Sequence, residues 1–327
     1  MEEIELTTAQ KVPVKRIADF ENLGFGLFMH YGLYSQIGRG EWGQYFEKVP
    51  ADEYAKWIKT FNADDFNPRE IVAYAKKAGM KYAVLTTRHH EGFSLYDTKG
   101  LSDFDVMHSP VKRDLVKEFV DACNEGGIIP FFYHTTLDWH DPRYNSDFPA
   151  YLEYLHKSVE LLCTNYGKIG GLWFDGNWNN PERDWHADEL YAIIRKHQPD
   201  AIIANNPGIG FAGTLYGDEE DVICFEQGTP SPVDQSKFKR YMAGEMSQTV
   251  NDHWAYWNKD VLYKGPAEII RTMCGCRAAG ANYLLNLTPD GTGKIATIQK
   301  GILEVLGQWT SVYGEPFYYG KPVPEIK

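Results

Sequence analysis

The chain lacks an excess of basic residues: 33 Lys and Arg face 45 Asp and Glu over 327 residues, a formal net charge of −12. Nucleic acid and anionic membrane surfaces both demand basic surface, so neither is an expected partner. No apolar run reaches the length of a membrane span. The opening residues Met1-Glu2-Glu3-Ile4-Glu5 are acidic where a secretory signal is basic and then apolar, so a cytoplasmic protein is expected. Cysteine is sparse: Cys123, Cys163, Cys224, Cys274 and Cys276 form an odd, scattered set without C-x-x-C spacing, which fits reduced thiols better than a disulfide framework or a zinc site. The zinc signatures H-x-H and H-E-x-x-H are missing, as is the G-x-S-x-G elbow of serine hydrolases. His89 and His90 are neighbours, and neighbours on an extended chain point opposite ways, so no metal is expected there. Gly208-Ile209-Gly210 lacks the third glycine of a dinucleotide loop and reads as a plain loop, so no cofactor is expected either. Low-complexity runs and long Pro/Gly/Ser linkers are also missing, so residues 1–327 are expected to form one domain.

What is present is an alternation of short apolar runs and longer helical patterns. Candidate strands are 25–29, 82–86, 128–133, 171–174, 201–204, 222–225, a weak one at 246–250, and 282–287. Helical patterns lie at 68–78, 114–125, 149–166, 184–197, 266–279 and 295–313. Asn67-Pro68 supplies a start signal, and Gly79 and Gly126 supply stops. Repeated β-then-α units imply parallel strands joined by right-handed crossovers, and eight of them are the count of a TIM-like (β/α)8 barrel. The chain is irregular around units 5–7, since 208–244 shows no clear helix.

Polar residues gather where these strands end. His30 follows the first, His89-His90 the second and Tyr133-His134 the third; Asp175 follows the fourth, Asn205-Asn206 the fifth and Glu226 the sixth. Barrel enzymes carry their chemistry at that end. Tryptophans stand nearby, at Trp42, Trp139, Trp173 and Trp254. Aromatic walls among hydroxyl-seeking groups suit a sugar ring, which has apolar C–H faces and a polar rim.

These residues carry a family resemblance. Phe28-Met29-His30-Tyr31-Gly32, Glu41-Trp42 and Thr87-Arg88-His89-His90-Glu91-Gly92-Phe93 resemble the opening of the α-L-fucosidases of glycoside hydrolase family 29. Phe131-Phe132-Tyr133, with Leu137-Asp138-Trp139-His140, is similar to that family's third-strand segment, and Leu172-Trp173-Phe174-Asp175-Gly176 to its nucleophile strand. Asn282-Tyr283-Leu284-Leu285-Asn286 and Gly314-Glu315-Pro316 resemble the end of its barrel, so the likeness runs from about residue 24 to residue 320.

The resemblance implies an exo-acting, retaining α-L-fucosidase that hydrolyses terminal α-L-fucosyl residues of oligosaccharides or glycoconjugates. It implies Asp175 as nucleophile, with His30, His89, His90, Tyr133 and Trp173 holding the fucose, Glu41 and Trp42 closing over its hydroxyls, and Trp254 against its methyl group. Two departures stand out. Many members carry an arginine after the fifth strand, where this chain has Asn205-Asn206-Pro207, and many continue into a β-sandwich domain, which is not expected here because the sequence ends at Lys327. Retaining hydrolysis needs a second carboxyl group as acid/base. Glu226 is the candidate, raised in pKa by the Asp175 charge, with Glu245, Asp218, Glu219 and Glu220 as rivals. Neutral histidines would suit the electron-poor transition state better than cations. The aromatic tail, Phe317, Tyr318 and Tyr319, is expected to offer a surface for a homo-oligomer.

Overall fold

In a computed structural model, which describes residues 11–319, eight parallel strands close into one barrel in the order β1 to β8. They are β1 (Phe25–Met29), β2 (Tyr82–Arg88), β3 (Ile129–Thr135), β4 (Gly171–Asp175), β5 (Ile202–Asn206), β6 (Val222–Glu226), β7 (Ala243–Thr249) and β8 (Ala281–Leu287). The acidic Met1-Glu5 segment and the chain end at Lys327 lie outside the described residues. Among the described residues no helix is long and apolar enough to cross a membrane. All five cysteines are free thiols, and only Cys274 is exposed.

The alternation of each strand sorts its side chains into two layers. Phe25, Leu27 and Met29 of β1 face the helices, whereas Phe28 faces the barrel interior. On β4, Leu172 and Phe174 pack outward and Trp173 inward, which puts Asp175 on the inward parity at the strand's end. The interior is filled by aromatic rings set against glycines. Tyr82 occupies the space a side chain at Gly26 would need, since a Cβ there would lie 2.4 Å from the ring, and Phe131 does the same to Gly171 at 2.6 Å. The helix Lys15–Glu21, which the sequence pattern does not reveal, closes the lower end with Phe20 set 5.7 Å from Tyr82 and 6.0 Å from Phe131.

The helix Pro68–Lys77 starts as its sequence signals, with the Asn67 side chain accepting from the Glu70 amide and proline in the first turn. The stop after Leu115–Gly126 is one residue later than expected: Gly127 takes the left-handed conformation, φ 70°. Gly126 is glycine for space, because a Cβ there would lie 2.3 Å from Val72. The weak strand near residue 246 is a full one, Ala243–Thr249, paired with β6 and β8 on both sides. Its Ala, Gly and Ser are poor strand formers that tertiary pairing overrides. Between β5 and β6 there is no helix, and the two strands pair through Ala204 and Val222 alone.

The last helix, Thr297–Tyr319, extends past the expected end. Its aromatic tail turns two of three rings inward: Phe317 and Tyr318 are buried, and Tyr318 lies over Gly24 and Gly79, whose missing side chains leave it room. Tyr319 alone remains exposed, so the tail does not form the contiguous aromatic surface expected of it.

Candidate active site

The inward parity at the upper ends of the strands surrounds a cavity of about 430 Å³, within the range of small-ligand sites. Asp175, Glu226, His30, Glu41, Trp42, His89, His90, Tyr133, Trp173 and Trp254 all line it, so the expected catalytic pair and the expected sugar-holding residues come together here. Phe28, Trp178, Asn206, Pro207, Gly208, Ile209 and Phe211 complete the wall. None of these lining residues is Lys or Arg.

Asp175 ends β4 and is held by neutral donors. Trp178 Nε1 donates to its Oδ1 at 2.7 Å, Tyr133 Oη to its Oδ2 at 3.0 Å, and Asn206 Nδ2 to its Oδ1 at 3.4 Å. Trp178 returns over the carboxylate because Gly176 takes φ 111°, where a Cβ would lie 2.6 Å from the Leu137 amide. Burial raises the Asp175 pKa above its usual value, and these three hydrogen bonds oppose the rise. Glu226 ends β6, where Asn206 Nδ2 donates to its Oε2 at 2.8 Å and Trp254 Nε1 to its Oε1 at 3.2 Å. Its carboxyl group is pushed up to about 7, first by burial and second by the Asp175 charge. Desolvation is therefore the main cause, ahead of the Asp175 charge expected from the sequence, which contributes second.

The histidines are neutral. Burial lowers His30 and His90 to about 3 and takes His89 well below its usual value. Asn286 donates its amide hydrogen to the Trp254 carbonyl at 2.6 Å, so its oxygen faces His30 Nδ1, 2.7 Å away. His30 therefore carries its proton on Nδ1 and offers an Nε2 lone pair. The expectation that His89 and His90 point apart does not hold. The chain leaves extended geometry after Arg88, the Gly92 amide turns back to the His89 carbonyl at 2.9 Å, and the two rings lie 4.2 Å apart in the same wall. One ligand atom each from His89, His90 and Asp175 lie within 4.8 Å of one another. Both oxygens of Asp175 also accept hydrogen bonds, from Trp178 and Tyr133.

Glu41, beyond β1, accepts from the Ala255 amide at 2.8 Å and so ties its loop to the one carrying Trp254. Trp139 stands behind Trp42, ring centroids 5.2 Å apart, and does not line the cavity. Two polar neighbours of these residues in the sequence face elsewhere. Asn205 donates to Tyr191 Oη at 2.8 Å, and His134 lies 3.4 Å from Tyr96 Oη, both on the helical side of the sheet. Glu245 faces inward but one layer lower, accepting from Tyr82 and from Trp173 Nε1 at 2.9 Å, sealed from the cavity beneath Trp173. Of the other rivals, Glu220 is fully buried and accepts from Tyr191 Oη and the Tyr216 amide, while Asp218 and Glu219 pair with Lys239 and Arg195. None of the four lines the cavity. Trp178 and the bridging role of Asn206 escaped the sequence reading; the D-G-x-W turn after β4 is the signal for the first, and Asn-Pro-Gly after β5 for the second.

The sequence model of the alpha-L-fucosidase family matches residues 2–315. Tissue alpha-L-fucosidase of Rattus norvegicus is 29% identical over 331 residues, covering 93% of this chain and 70% of that protein. Alpha-L-fucosidase isoenzyme 1 from Paenibacillus thiaminolyticus superposes with a TM-score of 0.86 at 34% identity, over 96% of this chain and 79% of that one. A family 29 alpha-L-fucosidase from Bacteroides thetaiotaomicron, captured as a covalent intermediate with 2-fluoro-fucosyl fluoride, matches with a TM-score of 0.82 at 27% identity, over 97% of this chain and 79% of that one.

Proposed function

The chain belongs to the alpha-L-fucosidase family of glycoside hydrolases, and from that membership we propose that it removes terminal α-L-fucosyl residues with retention, through a covalent fucosyl-enzyme on Asp175. The observation that carries the assignment is one nitrogen, Asn206 Nδ2, within hydrogen-bond reach of Asp175 at 3.4 Å and of Glu226 at 2.8 Å. The nearest oxygens of the two carboxyl groups are therefore no more than about 6.2 Å apart, short of the roughly 6.5–9.5 Å that leaves room for water in an inverting pair.

In the first step the Asp175 carboxylate attacks the anomeric carbon while Glu226 gives its proton to the departing oxygen. In the second, Glu226 takes a proton from water, whose oxygen bonds to the anomeric carbon as Asp175 leaves. A Glu226 pKa of about 7 supports the acid role, since the group holds its proton to near neutrality. His30, His89 and His90 are the groups to bond the sugar hydroxyls, and because they are neutral they add no positive charge beside an oxocarbenium-like centre. Phe28, Tyr133 and Trp173 close the floor, ring centroids 5.2–5.9 Å apart, which suits a terminal sugar over an internal one. Trp254, set 5.9 Å from Phe28, offers an apolar face for the fucose methyl group.

The test is the anomer first released from an aryl α-L-fucoside, followed by NMR, with α-1,2-, 1,3-, 1,4- and 1,6-linked fucosides beside it. α-L-Fucose appearing first, and a 2-fluoro-fucosyl label recovered on the peptide containing Asp175, are expected. β-L-Fucose appearing first would overturn the retaining reading.

A further inference from the structure

We propose that Asn206 is a third member of the catalytic apparatus, a positioning residue whose amide group spans the two carboxyl groups and sets the proton affinity of both. The proposal rests on the assignment of Asp175 and Glu226 as the reacting pair. Its basis is geometric. Asn206 ends β5 in register with Asp175 on β4 and is 3% exposed. Its amide could in principle sit either way round, but the Gly208 amide donates to its Oδ1 at 3.2 Å and thereby fixes the NH2 toward the carboxylates. A flipped amide would set its oxygen against two carboxyl groups and lose the Gly208 bond. The sequence builds this clamp locally. Asparagine side chains close turns onto the amide two residues on, Pro207 presets the first turn dihedral, and Gly208 accepts φ 90°.

Each amide hydrogen is thus spent on a different carboxyl group. Through the reaction the pair carries one negative charge, on Asp175 before attack and on Glu226 once the leaving group has taken the proton. A donor shared by both follows that charge without moving, and each bond strengthens as its acceptor becomes the charged one. The stronger link is to Glu226, so the larger effect falls on the first step, in which Glu226 becomes negative. Without Asn206 the Glu226 acid would be weaker and Asp175 would hold its proton to higher pH, because a hydrogen bond to a carboxylate favours the charged form.

The other titratable groups facing the pair are His90 from the β2 loop, whose Nε2 lies 3.5 Å from Asp175, Tyr133 from β3 and Glu41 from the β1 loop. Cys224 of β6 and Tyr216 of the preceding loop also feel its charge. None of them touches both carboxyl groups among the described hydrogen bonds, so Asn206 is placed to move both limbs of the pH profile together.

The experiment compares wild type with Asn206→Ala and Asn206→Asp, the second keeping the shape but not the donor. For each, kcat/KM is measured against pH on an aryl α-L-fucoside and on a fucosyl disaccharide. Both limbs of the bell should shift to higher pH by about half a unit or more in Asn206→Ala, and further in Asn206→Asp, which adds a negative charge. The disaccharide, whose leaving group needs the proton, should lose roughly tenfold more than the aryl substrate. Thermal melting and fucose binding report whether each variant is folded; if one is not, Asn206→Ser decides in its place. Unmoved limbs, or limbs that move in opposite directions, in a folded variant would overturn the proposal. Failure of the underlying reading looks different, since wild type would then be inactive on every fucoside or Asp175→Gly would remain active.

Discussion

Two carboxyl groups five residues apart, at opposite ends of β6, meet opposite environments. Asp221, just below the strand, is fully buried and surrounded by guanidinium groups: Arg16 at 2.9 Å, Arg195 at 2.6 Å and Arg240 at 2.8 Å. It also accepts from the Ile203 amide at 3.0 Å and so fixes the start of β5. Glu226, at the upper end, is half-buried and is held by an amide and an indole. Burial alone therefore does not mark a functional carboxyl group. Where cations compensate the charge the group is a structural tie. Where only neutral donors do, the proton is held near neutrality and remains available for transfer.

The largest effect should come from removing Asp175, the proposed nucleophile, from among its neutral donors. Asp175→Gly is expected to lose on the order of 10³-fold or more in kcat on aryl fucosides while still binding fucose, and azide should restore some turnover as the β-fucosyl azide. Retention of a tenth of wild-type kcat would remove Asp175 from that role. Next comes Glu226→Ala, which should cost natural fucosides about 10²-fold or more and activated aryl fucosides far less, with the alkaline limb near pH 7 flattened and azide giving the α-azide. Equal losses on both substrates would assign the acid elsewhere.

At the cationic end the readout changes from rate to stability. Asp221→Asn removes the buried charge that three guanidinium groups face, of which Arg16 and Arg195 keep Glu219, and should destabilise the fold by about 3 kcal/mol in urea titration, with the pH profile of turnover unmoved. A shifted profile would mean that the two ends of β6 are electrostatically coupled.

The smallest effect belongs to Glu245, which shares the neutral type of environment without lining the cavity. Its folded pKa is raised by burial from 4.5 to about 7. The stability it contributes is therefore complete below about pH 4.5 and is lost as pH rises through 7. Glu245→Gln, whose amide keeps an acceptor for Trp173 and turns its NH2 toward the Tyr82 hydroxyl oxygen, should melt above wild type at about pH 8 and close to it at about pH 5. A loss at both pH values would show that the carboxyl group supports Trp173 in a way an amide cannot.

The barrel and its upper rim were legible because strand runs such as Val222-Ile223-Cys224-Phe225 end in a polar residue. Which of those polar residues faces inward was not, since it depends on parity within a closed sheet. Asn205 and Asn206 are alike in sequence, yet one bonds Tyr191 and the other bridges two carboxyl groups. Tertiary packing hid the plug helix Lys15–Glu21 too, as seven residues carry too little periodicity to register. Trp178 and the paired histidines depend on turns after the strands end, where an alternation rule no longer applies.

The link made by Asn286 bears on how the cavity comes into being. This one side chain, from the last strand, orients His30 from the first and anchors the loop of Trp254. Glu41 adds a second stitch between the same early and late segments. A nascent chain that has built seven strands has neither a fixed tautomer at His30 nor a seated Trp254. Competence to bind sugar should therefore arrive abruptly, when β8 closes against β1, rather than growing strand by strand. Ligand affinity then becomes a gauge of ring closure, and an added sugar should slow hydrogen exchange first along the β1–β8 seam, far along the sequence from Asp175.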